Sequence, residues 1–351
     1  MLKRIKREII WKKIYEDLSF QTKDFRFGKR FYTLDEVCTK YHVSKITARR
    51  VFVELENEGY IERVRRKGTI VKNVRDPLCL KLLLPEDGLP REILERPAEM
   101  RINNALNLYT NKLKIDFATI SEKFLQGLDL PDKIGFLLLS KAGKKTVEFL
   151  RKRDLPFILL HFPSKQLGVV SIRIDLRRGA YLATRYLASL GHRKIAFING
   201  PITNVWFLPR FKGYLKALKE EKIKFDWLLI KETGGLDPKE DENALEELLA
   251  LPFPPTAIFA VTDYRAIHIL EYCQKHNIKV PQDLSIVGFD NISESSLTQP
   301  PLTTIDTCLE KVSEKGVNFI IEMMEEKAKK TWKDIIIKPD LVVRKSAKNY
   351  A

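Results

Sequence analysis

From Cys79 onward the chain repeats one unit, a short continuous apolar run followed by a stretch of helical periodicity. The runs are Cys79 to Leu84, Ile134 to Leu139, Phe157 to Leu160, Ile195 to Ile198, Leu228 to Ile230, Ala257 to Val261 and Ser285 to Phe289. Helical patterns separate most of them: Ala98 to Leu113, Lys145 to Arg153, Gly179 to Leu190, Gly213 to Glu221, Glu242 to Leu251 and Tyr264 to Asn277. Strands apolar on both faces need cover on both faces, and alternating helices supply it, so the pattern predicts parallel, doubly wound α/β sheets. The number of units predicts two such lobes. In open parallel sheets ligands sit beyond the carboxyl ends of the strands. The residues there are Glu86 and Asp87, Ser140 and Lys141, His161, the Gly200 to Arg210 loop, Asp263 and Asp290. None forms a phosphate-cradling glycine loop, and no G-x-x-x-x-G-K occurs.

The segment before Cys79 is different in charge and in period. The 351 residues carry a net +16, and residues 1–75 alone hold 20 Lys/Arg against 10 Asp/Glu. A basic module on a nearly balanced body points to a polyanionic partner for the first segment. Residues 2–18 read as an amphipathic helix, with Leu2, Ile5, Ile9, Ile14 and Leu18 on one side. Thr33-Leu34-Asp35-Glu36 is a capping box that starts a second helix at Leu34, running to about Tyr41. Ser44 is an N-cap for a third helix ending near Glu58, with Gly59 as its stop.

On the third helix Ala48, Val51, Phe52 and Leu55 share the face that must pack inward. Ser44, Lys45, Ile46, Thr47, Arg49 and Arg50 remain at the exposed N-terminal end, the arrangement of a recognition helix entering a major groove. Tyr60 to Val64, the basic turn Arg65-Arg66-Lys67-Gly68 and Thr69 to Val71 read as a hairpin whose tip lies along a minor groove or backbone. The partner expected is a double-stranded DNA operator. A three-helix protein-interaction domain with solvated charges is the alternative.

Cys38, Cys79, Cys273 and Cys308 show no zinc-ligand spacing, and neither do His42, His161, His192, His268 and His276, so no metal or cofactor is expected. Charges interrupt every apolar stretch of the first residues and no run approaches the length of a membrane span, so the expected location is the cytoplasm. There is no G-x-S-x-G, and no catalytic residue is expected. A sugar-acting enzyme using Asp263 and Asp290 as acid and base is one alternative, and a sugar-binding receptor without a DNA role is another.

The stretch VSKITARRVFVELENEGYIERVRRKGTIV resembles the winged helix of the GntR family of bacterial regulators, over roughly residues 5–72. That resemblance implies DNA contacts from Ser44, Lys45, Thr47 and Arg49, with Gly68 as the wing-tip glycine. Arg50 and Lys67 join them as flanking basic contacts. Asp35 departs from the pattern, standing where an arginine is expected; either the contact is lost or Lys29 or Arg30 replaces it.

The body is similar to the effector domain of the LacI family. The matching residues include Ile174-Asp175, Leu190 to Ala196, Asn199-Gly200-Pro201, Arg210 to Tyr214, Thr262-Asp263, Val287 to Asp290, Pro300 to Ile305 and Arg344-Lys345-Ser346. A GntR-like head on a LacI-like body resembles the AraR type of sugar-responsive regulator. The resemblance implies a periplasmic-binding-protein-like body of two lobes, a mono- or disaccharide between them, and a homodimer on a pseudo-palindromic operator. It also implies a repressor whose DNA affinity the small molecule changes. By the same resemblance Arg210 and Asp263 are the ligand-binding arginine and aspartate.

Trp206 is either a stacking platform for a sugar or a packing residue, Asp175 a pocket residue or a helix cap, Asp290 a hinge carboxylate or a ligand contact. His161 is a pocket candidate, and His192 reads as structural. The expected domains are 1–73 for the head, 74–78 for a linker and 79–348 for the body. Lobe one is expected over about 79–190 plus 291–330, and lobe two over 191–290 plus 331–348.

Overall fold

The computed structural model describes residues 2–22, 29–65, 67–71, 78–84, 97–122, 125, 130, 133–139, 144–161, 169–234, 237–325 and 334–350. The chain divides into a smaller unit, Met1–Leu80 with Lys114–Asp116 and Asp129–Ile134, and a larger unit holding the rest. The strand-end candidates Glu86, Asp87, Ser140 and Lys141, the linker up to Pro77 and the crossover near Lys330 lie outside the described residues.

In the smaller unit α1 is Leu2–Gln21, α2 Leu34–Tyr41 and α3 Lys45–Asn57, followed by β1 Ile61–Val64 and β2 Gly68–Val71. The caps fix these boundaries. The Thr33 hydroxyl accepts from the Glu36 amide at 3.2 Å while the Glu36 carboxylate accepts from the Thr33 amide at 2.6 Å. Gly59 stops α3 at φ +83, a conformation a β-carbon would oppose. Ala48, Val51, Phe52 and Leu55 are buried as their spacing requires, packed with Ile14, Leu18, Phe31 and Val37. The hairpin pairs Ile61 with Val71 and Val64 with Gly68, and the Gly68 φ of +78 turns its tip.

Two main sheets follow the hairpin in the chain, and nearly all of their residues belong to the larger unit. The first contains β3 Cys79–Leu84, β4 Asp116–Ser121, β5 Ile134–Leu139, β6 Phe157–Leu160, β7 Ser171–Ile174 and β13 Ile335–Ile337, in the order β13-β7-β6-β5-β3-β4. The second contains β8 Ile195–Asn199, β9 Ile230–Glu232, β10 Ala257–Ala260 and β11 Ser285–Val287, in the order β11-β10-β8-β9. Its pairs are parallel, as continuous apolar runs predict. A small antiparallel pair joins β12 Thr304–Asp306 to β14 Asp340–Val342.

Two expectations need correcting. Ile335–Ile337 was expected in lobe two, but β13 pairs in parallel with β7, so this piece returns to the first sheet before the chain leaves it. The run at Leu228 to Ile230 is mostly a 3-10 turn, Trp227–Leu229, capped by Asp226, and the strand begins only at Ile230.

The helices of this unit include α4 Pro97–Lys112, α5 Lys144–Lys152, α6 Leu176–Ser189, α7 Phe207–Glu220, α8 Pro238–Leu249, α9 Asp263–Lys275 and α10 Leu309–Met324. Helix α7 crosses α6 at Gly213, where a β-carbon would overlap the Arg177 carbonyl and sit 2.9 Å from the Ala180 methyl. Because Arg177 presents backbone there, Gly213→Ala is expected to force the helices apart and cost about 2–3 kcal/mol, read as a lower urea midpoint.

Candidate functional site

The polar groups at the exposed end of α3 are mostly committed. The Ser44 hydroxyl accepts from the Thr47 amide at 3.3 Å and lies 3.1 Å from the Thr47 hydroxyl. The Lys45 ammonium sits 2.8 Å from the Asp35 carboxylate, with both side chains about three-quarters exposed. That bond raises the Lys45 pKa. The unexpected Asp35 therefore neutralises its neighbour across the helix turn. The Arg50 guanidinium packs 4.2 Å above the Trp11 ring, an arginine–aromatic contact within α1 and α3. Arg49 is exposed and carries no ion pair or hydrogen bond among the described residues. At the hairpin, Lys67 is exposed, and its amide closes the turn on the Val64 carbonyl at 3.1 Å. Lys29 and Arg30 run beside β2, with the Val71 amide donating to the Lys29 carbonyl at 2.9 Å.

In the larger unit the ends of the two sheets bring His161 and Trp206 together. Their rings stack with centroids 4.7 Å apart and planes 21° from parallel. They line a cavity of about 80 Å³ with Arg173, Asp175, Arg177 and Val205. Trp206 thus meets another ring instead of lying free. Asp175 also has a structural task, capping α6 by accepting from the Arg178 amide at 3.0 Å.

Arg210, on the first turn of α7, is 6% exposed. Its Nη1 donates to the Trp206 carbonyl at 2.9 Å, its Nη2 is 3.5 Å from Asp290, and its Nε has no partner among the described residues. Burial lowers its pKa and the Asp290 carboxylate opposes that, but a guanidinium stays charged. Asp290 has φ +115, an unfavourable backbone for a side chain, so something must hold it. Its amide donates to the Ile305 carbonyl at 2.8 Å, and Arg101 of α4 donates to its carbonyl at 2.6 Å. Arg101 is clamped in turn by Glu310 at 2.8 Å. No local pattern marks Arg101, because all its partners lie about 190 or more residues away.

Asp263 is placed differently from the expectation. It is fully buried, with one oxygen accepting from the Thr304 hydroxyl and the other from the Ile292 amide at 2.9 Å. Burial pushes its pKa up to about 6. Its side chain pins the Ile292 and Thr304 segments together and does not face the cavity. His192 is equally sealed, within hydrogen-bond distance of Thr256, Ser285 and the Lys348 carbonyl.

Two groups escaped the sequence reading. Arg265, 3% exposed, donates to the Thr233 hydroxyl and carbonyl, both at 2.9 Å, and lies 3.6 Å from the buried Asp241. Asn199 ends β8 fully buried, with neither amide atom of its side chain bonded among the described residues. An asparagine closing an apolar strand gives no signal beyond its position at the carboxyl end.

Burial and then the Arg210 charge lower the His161 pKa to about 3. Because this base is harder to protonate folded than unfolded, its contribution is intact above about pH 6.5 and is lost as the pH falls toward 3. At pH 5 the loss is roughly 2 kcal/mol. His161→Phe is expected to remove that part of the acid sensitivity, read as the difference between the two proteins' urea midpoints at pH 7 and pH 5. A difference independent of pH contradicts it.

Among the described residues no helix is long and apolar enough to cross a membrane, and no group of side chains is arranged to hold a metal ion. Residues 184–347 match the periplasmic binding protein-like domain, and residues 28–71 match the DeoR-like helix-turn-helix domain. The head's match is to this model rather than to a GntR-type one. The chain is 31% identical over 316 residues to the HTH-type transcriptional repressor PurR of Histophilus somni, covering 87% of this chain and 91% of that protein. The LacI transcriptional regulator of Bacillus cereus subsp. cytotoxis superposes with a TM-score of 0.64 at 25% identity, covering 78% of this chain and all of that one. A LacI family regulator from Enterococcus faecium, solved with bound ribose, gives 0.64 at 24% identity, covering 78% of this chain and all of that one.

A helix-turn-helix head and a two-sheet effector body define a ligand-responsive DNA-binding regulator. The chain belongs to the PurR/LacI family of transcriptional repressors, and its relatives are regulators rather than enzymes.

Proposed function

We propose that this repressor answers to a mono- or disaccharide held between its lobes, and that it binds a pseudo-palindromic operator as a homodimer in the cytoplasm. The observation that carries the ligand site is Arg210, a buried cation on the first turn of α7 with an Nε unpaired among the described residues and one carboxylate 3.5 Å away. A guanidinium with a spare donor suits ring and hydroxyl oxygens, and the facing Asp290 suits hydroxyl donors. The Trp206 ring offers an apolar face to a pyranose once His161 moves aside. Ribose in a structural neighbour supports the class. Asp175, His161 and Trp206 border the cavity beside the Arg210 side chain, whose Nη1 donates to the Trp206 carbonyl; Asp263 is left to the fold.

The DNA-binding proposal uses Ser44, Lys45, Thr47, Arg49 and Arg50 of α3 with Lys67 and Gly68 of the hairpin. The β1–β2 hairpin that follows α3 supports a winged form of the helix-turn-helix. A homodimer reads two half-sites related by its own twofold, which is what makes the operator a pseudo-palindrome. Ligand acts only through its preference for one of two arrangements of the lobes.

A thermal-shift screen of mono- and disaccharides tests the ligand class. A binder raises the melting point with concentration. A panel in which no sugar does so, while another small molecule does, replaces the class.

A further inference from the structure

Ile46 is 83% exposed, the most exposed large apolar side chain among the described residues. It stands in the first turn of α3, and Val53, two turns later on the same face, is 44% exposed. Around it the polar groups are occupied: Ser44 and Thr47 with each other, Lys45 with Asp35, and Arg50 with Trp11. Ile46 and Arg49 are therefore the side chains of this end that can meet a partner without giving up an interaction. Three positions apart on a helix, they are neighbours on its surface.

The partner is set by the charge of the segment, a net +10 over residues 1–75, and by the helix-turn-helix. In a major groove the apolar feature of a base edge is the thymine 5-methyl, and the natural target of an arginine is guanine or a phosphate. We propose that Ile46 is a specificity-determining residue that packs against a thymine methyl in each half-site, with Arg49 on the adjacent guanine or phosphate. The proposal rests on α3 being the reading helix. It accounts for an isoleucine kept in water at the point where the helix meets DNA. It also moves sequence discrimination from the tied-up Lys45 and Thr47 to the uncommitted pair.

The test uses the full chain and a half-site selected from random duplex DNA. Each thymine is replaced in turn by deoxyuridine, which removes only the methyl. Wild type is expected to lose about fourfold in affinity at one position, the value of one buried methyl-sized group. Ile46→Ala is expected to bind both duplexes equally there, and Ile46→Val to retain most of the discrimination. Equal losses in wild type and Ile46→Ala, or no loss at any position, overturn the assignment. Arg49→Ala is the separate arm. It is expected to weaken binding and flatten the salt dependence by about one unit if it holds a phosphate, or to relax one guanine if it reads a base. If Arg49→Ala changes neither affinity, salt dependence nor base preference, α3 is not the reading helix, and the parent reading fails together with the role of Ile46.

Discussion

Asp263→Ala is expected to destabilise the protein by about 3 kcal/mol, because it leaves a buried hydroxyl and a buried amide without their acceptor. The groups stranded are the Thr304 hydroxyl and the Ile292 amide, both within a region that excludes water. Against that stands relief of a penalty, since burial already lifts the Asp263 pKa to about 6. For a carboxyl raised this way, stability falls as the pH climbs from about 4 to 6 and is then level, so the alanine variant should lose less at pH 7 than at pH 5. Asp263→Asn keeps one acceptor and should lose less than half as much. Asp263 as a ligand contact implies a different result, loss of the ligand response with operator binding intact. Urea midpoints at pH 5 and pH 7 separate the two: an unchanged midpoint with a lost response would return Asp263 to the ligand site.

Arg210→Leu should act mainly on the ligand. It removes one member of an ion pair and leaves the Asp290 carboxylate without its cation, but that side chain is 19% exposed and water can reach it, so the folded protein is expected to survive with a loss of about 3 kcal/mol. Effector binding is not. Losing a desolvated, charge-assisted donor costs about 3 kcal/mol, close to a hundredfold in affinity. Calorimetric titration of wild type and variant with the sugar identified by the melting screen checks this. Unchanged affinity would place the ligand elsewhere.

The contrast between these two residues shows how far the sequence reaches. The carboxyl-end rule picked out both, and it is sound about which end of a strand matters. It does not say where a side chain points. Asp263 opens α9 and turns inward toward Gly288 and Thr304, whereas Asp290 turns toward Arg210 because an unusual backbone, held by Arg101, aims it there. Tertiary partners make that difference, and local pattern carries no trace of them.

Legibility was best where the determinants are a few residues apart. The capping box at Thr33 and the Ser44 cap gave α2 and α3 their starting residues, and the 48, 51, 52, 55 spacing gave the buried face. Among the body strands, β4 and β7 were missed: Asp116–Ser121 at the sheet edge is only half-buried and has no apolar run, and Ser171–Ile174 alternates polar with apolar residues over four positions. Strands β12, β13 and β14 have three residues each, too short for periodicity to register. The Asp35–Lys45 and Arg50–Trp11 pairs join separate helices, so the sequence presents Lys45 and Arg50 as DNA contacts and leaves their partners unseen.

The central claim is that a small molecule in the cleft at Arg210 changes the affinity of the head for DNA. Operator affinity of the full chain, measured by fluorescence anisotropy with and without a saturating concentration of the sugar that raises the melting point, tests it most directly. A change of at least tenfold is expected, a coupling of about 1.4 kcal/mol, and Arg210→Leu should abolish it. A sugar that binds and stabilises the protein while leaving operator affinity the same would contradict the account.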